Sequence, residues 1–291
     1  MKKIKILSLL WLFFFISVLP VHGQDKKQPP QYRQETAPVS VHQISKHVYD
    51  VRGGVGANSA FIVGDNAVYV IDAKMTEQSA KDMVKTIKKT TGKPIKYLIL
   101  THSDGDHVNG IPGFSKDVDM IAHKNSARDI KKANEAGQIT LPLPNITFTN
   151  SISLFDDDLE IRLLYFGPAH TDGSIVVYIP DDRIAVIGDL FFKGMDPLIH
   201  KHKNGISSGF ADVLQKIAGL DAKEYLSGHS DPVEKAEIEE LRNTIKDKRE
   251  KVKSMISDGR SLDDIKKAFG IPTGQQRWPS LVEIIYSEMT Q

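Results

Sequence analysis

The most constraining feature of the chain is an almost continuous apolar run, Ile95 to Leu100, that stops directly at Thr101-His102-Ser103-Asp104-Gly105-Asp106-His107. A run of that length and composition predicts a buried strand, and ligands often sit where such strands end. The arrangement occurs twice more. Leu159 to Tyr165 leads to Gly167-Pro168-Ala169-His170, and Ile184 to Ile187 leads to Gly188-Asp189. Each time, a buried strand is followed by a side chain able to bind a metal.

The surrounding pattern alternates strands and helices. Ala60 to Val63 and Ala67 to Ile71, separated by Gly64-Asp65-Asn66, predict a hairpin. Glu77 to Lys89 places Ala80, Met83, Val84 and Ile87 at helical spacing, with lysines on the other face. After residue 230 the chain changes character. Ile238, Leu241, Ile245, Val252, Met255 and Ile256 share one face of a charged helix, Ser261 to Asp264 reads as a capping box, and a last helix is expected from Ser280 to Met289. The expected organisation is a domain over 43–230 with helices of 231–291 packed on it.

The N-terminus carries a compartment signal. Lys2, Lys3 and Lys5 precede an apolar run from Ile6 to Leu19, which predicts a signal peptide over 1–23, cleaved near Gly23, and an exported, periplasmic or secreted product. The run falls short of the roughly 18 to 20 apolar residues that span a bilayer, so no stable membrane anchor is expected. Residues 24–42, with Pro29, Pro30 and Pro38, read as a flexible leader.

Charge and composition narrow the chemistry. Lys plus Arg (38) nearly cancels Asp plus Glu (37), which provides no broad field for gripping nucleic acid and suits a small-molecule substrate. There is no cysteine. Disulfides, cysteine nucleophiles and zinc–thiolate sites are excluded, so any metal must be held by nitrogen and oxygen.

The stretch from His102 to His107 holds four such donors. In a loop, alternate side chains can converge on one or two ions, and imidazole and carboxylate suit zinc, iron and manganese. Taken alone, the same residues are also compatible with a solvated turn or a capping network.

Together with Gly167-Pro168-Ala169-His170-Thr171, Gly188-Asp189-Leu190 and Ser227-Gly228-His229, the stretch resembles the His-x-His-x-Asp-His signature of the metallo-β-lactamase superfamily. Ala57-Asn58-Ser59 and Val70-Ile71-Asp72 extend the likeness, from about Val48 to His229. The resemblance implies an α/β fold, the four-layered αβ/βα sandwich, with two divalent metal ions at one edge between the sheets. It puts His102, Asp104 and His170 on the first ion and Asp106, His107 and His229 on the second, with Asp189 bridging. It further implies hydrolysis by a metal-bound hydroxide, Asp106 and Asp189 acting at the reacting centre and Asp72 supporting a metal-bound histidine from behind.

Asp104 stands where the signature normally has its second histidine. A carboxylate there makes the first ion a weaker Lewis acid and shifts preference from zinc towards iron or manganese. Flavodiiron oxidoreductases also use a carboxylate at this position, so a di-iron redox protein is an alternative, as is a non-catalytic metal-binding protein; the segment after His229 does not read as a flavin-binding domain. Asp189 resembles the bridging residue of glyoxalase II, lactonases and related esterases, whereas classical metallo-β-lactamases have Cys or Ser there. The expected substrates are therefore a small ester, lactone, thioester or amide, with β-lactam ring hydrolysis as an alternative. His200, His202 and Lys193 are candidates for touching substrate, while His123, His42 and His47 read as packing or surface residues. Oligomeric state is not legible.

Overall fold

The computed structural model describes residues 37–272 and 277–290. The expected signal peptide and most of the expected leader lie outside the described residues.

A four-strand antiparallel meander opens the fold: β1 (Ser40–Gln43), β2 (Val48–Arg52), β3 (Ser59–Val63) and β4 (Val68–Ile71). The helix α1 (Glu77–Thr90) then crosses to β5 (Ile95–Leu100), which lies parallel to β4. The single turn α2 (Gly105–Val108), β6 (Asp119–His123), α3 (Lys124–Glu135) and β7 (Ile146–Phe148) follow, completing a seven-stranded sheet in sequence order. The second sheet runs β12-β11-β10-β9-β8: β8 (Ser151–Asp156), β9 (Leu159–Leu164), β10 (Val176–Ile179) and β11 (Ile184–Gly188) are antiparallel, and after α4 (Ser207–Ala218) β12 (Glu224–Ser227) joins parallel to β11. The helices α5 (Lys235–Ser257), α6 (Leu262–Ala268) and α7 (Leu281–Thr290) follow.

The period of two along each strand builds the layers. Ala60 and Ile62 of β3, Ile99 of β5, Leu163 of β9 and Val186 of β11 point between the sheets and form the central core. Their neighbours Phe61, Leu98 and Leu100 point the other way, onto Met83 and Ile87 of α1 and Ile130 of α3. On the far side, Ala185 and Ile187 of β11 and Tyr225 of β12 pack against Phe210 and Leu214 of α4, and Ile238, Ile245, Ile265 and Ile285 of the last three helices join the same cluster. The result is the four-layered αβ/βα sandwich, and a strand segment covered on both sides must be apolar on both faces, as Leu98, Ile99 and Leu100 are.

Local signals agree with the tertiary placement. The side chain of Thr76 caps α1 by accepting from Ser79 N at 3.1 Å, and Lys88 and Lys89 sit in its last turn, where the helix dipole favours cations. The capping box at Ser261 is formed with Asp264. One expectation is corrected: the leader does not reach residue 42, because Ser40–Gln43 is β1, paired through Val41↔Val51. Its polar composition conceals it, since an edge strand leaves Ser40, His42 and Gln43 exposed and only Val39 and Val41 lean on the core beneath.

Candidate metal centre

The predicted donors meet at the C-terminal ends of β4, β5, β11 and β12. Asp72 follows β4 with φ 62°, a left-handed turn that aims its carboxylate across to β5. There Oδ1 accepts from Thr101 N at 2.8 Å, and Oδ2 accepts from Thr101 Oγ1 at 2.7 Å and from His107 Nδ1 at 2.7 Å. Asp104 caps α2 through its backbone, its carbonyl accepting from His107 N at 2.9 Å and Val108 N at 3.1 Å. That leaves its side chain free for the centre. One turn of helix then presents Asp106 and His107.

Two groups of donor atoms result, each with all members within 4.8 Å of one another: His102, Asp104, His170 and Asp189, and Asp106, His107, Asp189 and His229. Asp189 belongs to both. Its Oδ1 lies 3.1 Å from His107 Nε2, and its Oδ2 lies 3.3 Å from His229 Nε2 and 3.7 Å from His102 Nε2.

Three of the imidazoles are held from behind in one tautomer. His107 Nδ1 donates to the Asp72 carboxylate, and His170 Nδ1 donates to Leu198 O at 2.7 Å. Because the Thr101 hydroxyl donates to Asp72, it accepts from His102 Nδ1 at 3.0 Å. Each ring thus carries its proton on Nδ1 and turns the Nε2 lone pair inward, the arrangement a metal-binding histidine requires. Among the described residues, His102 Nε2, His107 Nε2 and Asp189 Oδ1 are buried without any hydrogen-bond partner. Orphaned polar atoms of this kind are costly unless something else satisfies them. Nitrogen and carboxylate oxygen converging without thiolate form a donor set that fits divalent ions.

The electrostatics point the same way. Burial alone would raise the Asp189 carboxyl, but His107, His229 and His102 hold it well below the ordinary carboxylate range. Burial likewise opposes ionisation of Asp104, yet His102, His170 and His200 keep it low. In return, burial would lower His107, and Asp189 and Asp72 push it well above its ordinary value; His229, despite burial, is raised to about 9 by Asp106 and Asp189. His102 is lowered by burial and by His107. The cluster is a buried set of carboxylates that draws positive charge onto its imidazoles, and a metal ion supplies that charge as a proton would.

All seven predicted ligands are brought together, and Asp72 stands directly behind His107. The three candidates for substrate contact separate. His200 is buried, with Nε2 2.9 Å from Asp104 Oδ2. His202 is exposed and sets its ring against His200, ring centroids 5.1 Å apart. Lys193 turns away: its ammonium pairs with Glu237 at 2.9 Å, because its backbone N–H is anchored to Ser230 Oγ at 2.8 Å on the α5 side of the loop. His123 is structural, donating from Nε2 to Thr149 O at 2.9 Å and stacking on Tyr165. His47 pairs with Asp182 at 2.9 Å, and His42 is exposed.

Several residues escaped sequence reasoning. Lys203 Nζ lies 2.6 Å from Asp104 Oδ1 and donates to Ser103 O at 3.1 Å. Phe192 stacks on His229, and Trp278, from the segment before α7, packs edge-on against His200 with centroids 5.0 Å apart. A Cβ on Gly228 would meet Asp189 Oδ1 at 2.4 Å and His107 Cε1 at 2.8 Å, so only glycine admits this close approach. The one local signal was the pair His200 and His202, read from sequence as candidates for touching substrate.

Residues 52–229 match the family described as the metallo-beta-lactamase superfamily. The alpha subunit of 2,4-dinitroanisole O-demethylase from Nocardioides sp. is 27% identical over 69% of this chain, which spans 60% of that protein. The type 2 metallo-beta-lactamase of Elizabethkingia meningoseptica is 24% identical over 77% of this chain and 91% of its own length. Among solved structures, a metallo-beta-lactamase from Pontibacter korlensis superposes with a TM-score of 0.62 at 17% identity, covering 72% of this chain and 99% of that one. With the match spanning the strand ends that carry every donor, the chain belongs to the metallo-β-lactamase superfamily and is one of its metal-binding hydrolases.

Proposed function

We propose that this chain is an exported hydrolase that holds two zinc ions and cleaves a small ester, lactone, thioester or amide. The observation that carries the reading is Asp189, a buried carboxylate shared by both donor groups. It supports two adjacent ions, and it differs from the cysteine or serine that classical metallo-β-lactamases are known for at the resembling position. His102, Asp104, Asp189 and His170 would hold the first ion and Asp106, His107, Asp189 and His229 the second. When bound, such ions lower the pKa of water and polarise a substrate carbonyl.

The chain's own residues do the rest. Asp106 has the more open carboxylate, its side chain 29% exposed against 4% for Asp189, and it orients the attacking water. His102, His107 and His170 stay fixed through their Nδ1 contacts, so the centre is organised before substrate arrives. Phe192 covers one face of His229 and keeps water from that side.

The test is turnover by the metal-loaded protein across esters, lactones, thioesters, amides and phosphodiesters, with loss of at least a hundredfold in His107→Ala and Asp189→Ala. Protein with two bound ions that cleaves none of these would end the reading. Elemental analysis decides zinc against iron or manganese. A second reading, β-lactam hydrolysis, draws support from the names of relatives such as the Elizabethkingia enzyme; a chromogenic cephalosporin in the same panel separates the two. Export rests on the lysines and apolar run at the N-terminus, and cell fractionation of the full chain tests it.

A further inference from the structure

Asp104 removes one imidazole from the first position, and the fold returns another nearby. His200 Nε2 lies 2.9 Å from Asp104 Oδ2. His170 Nε2 is 3.0 Å and His102 Nε2 3.5 Å from the same oxygen. Donors bound to one ion at about 2.05 Å stand about 3.3 Å apart in a tetrahedron and about 2.9 Å apart at right angles. Each of the three imidazole nitrogens is therefore about as far from Asp104 Oδ2 as one donor is from the next around a single ion.

His200 is also fixed in place, through its backbone and its ring neighbours. It is 6% exposed. Its N–H donates to His170 O at 2.9 Å, and its carbonyl accepts from Lys203 N at 2.9 Å and Gly205 N at 3.0 Å. The ring is held edge-on between His170, at 4.7 Å, and Trp278, at 5.0 Å. Lys203 completes the exchange. Its ammonium occupies Asp104 Oδ1 at 2.6 Å, which leaves Oδ2 as the oxygen that faces the three imidazoles, and cancels the charge that aspartate adds where a neutral histidine would stand.

We propose that His200 is an additional ligand of the first metal ion, restoring the third imidazole that Asp104 displaces, with Lys203 as the counter-charge that makes the exchange neutral. This rests on the two-ion reading above. It implies a first position with histidine-rich character despite the aspartate.

The test uses the full folded chain, labelled with the spin-half nitrogen isotope in histidine and loaded with spin-half cadmium. Splitting of a nitrogen signal by cadmium requires a coordinate bond, which a hydrogen-bonding or packing role does not create. The expected result is a split Nε2 signal for His200 alongside those of His102 and His170. His200→Gln identifies the signal by its loss; if that variant does not fold, the signal is assigned in the wild type through its link to the His200 backbone. An unsplit His200 Nε2 with His102 and His170 both split overturns the proposal and leaves the two-ion centre intact. No splitting at any histidine overturns the metal centre itself.

Discussion

Asp72→Asn isolates how much of the second metal position depends on a residue that never touches the ion. Asparagine is nearly the same shape and is among the residues that best tolerate the left-handed backbone found here, so the φ of 62° adds little strain. It retains an oxygen for Thr101 N, now 2.8 Å from Oδ1. The amide nitrogen, however, takes the place of Oδ2, which accepts from His107 Nδ1 at 2.7 Å. Two donors cannot face each other, so His107 must give up its Nδ1 proton and carry it on Nε2, the atom 3.1 Å from Asp189 Oδ1. That blocks the lone pair an ion needs. Losing the charge-assisted hydrogen bond costs about 1.5 to 3 kcal/mol of stability, and loss of an outer partner of this kind costs roughly 10- to 100-fold in metal affinity. Competition with a chromophoric chelator reads the second affinity, and denaturant unfolding of the metal-free proteins reads the stability separately. A folded Asp72→Asn variant that binds two ions as tightly as the wild type would refute the tautomer argument.

Other perturbations test other parts of the structure. Lys74 is fully buried, donating to Val51 O at 3.1 Å and Ala57 O at 2.7 Å, and burial lowers it to about 8 against the pull of Asp50 and Asp72. Between pH 8 and its ordinary value near 10.5 the unfolded chain holds a proton that the folded chain has released, so stability rises with pH in that window. Relative to Lys74→Met, the wild type should gain about 3 kcal/mol across the window in denaturant unfolding; a flat difference sinks the prediction. Gly228→Ala drives a methyl group into Asp189 and His107, and metal content and activity should fall at least a hundredfold while circular dichroism shows the fold retained. Lys203→Met withdraws the cation beside Asp104, so the first position should bind divalent ions about tenfold more tightly by chelator competition. A weaker first ion would show that Lys203 matters as an anchor for Asp104 and not as a charge.

Much of this molecule was legible locally. The strands Ile95 to Leu100 and Ile184 to Ile187, the helix after Thr76 and the capping box at Ser261 follow from periodicity and short-range hydrogen bonding, which neighbouring residues decide. The cluster from His102 to His107 was visible because its donors are adjacent in the chain, and His170, Asp189 and His229 because each follows a strand that ends at the same edge. What the tertiary structure alone decided lies in side chains whose partners are far away. The edge strand Ser40–Gln43 is polar and acquires its conformation from pairing with β2. Lys193 and Lys203 are both loop lysines after Asp189, yet one turns to Glu237 and the other to Asp104, because the backbone around each is anchored to a different element. His200 and Trp278 meet only when α7 packs on α4 and α5. A loop side chain takes its direction from long-range closure of the fold, and no local periodicity records that direction.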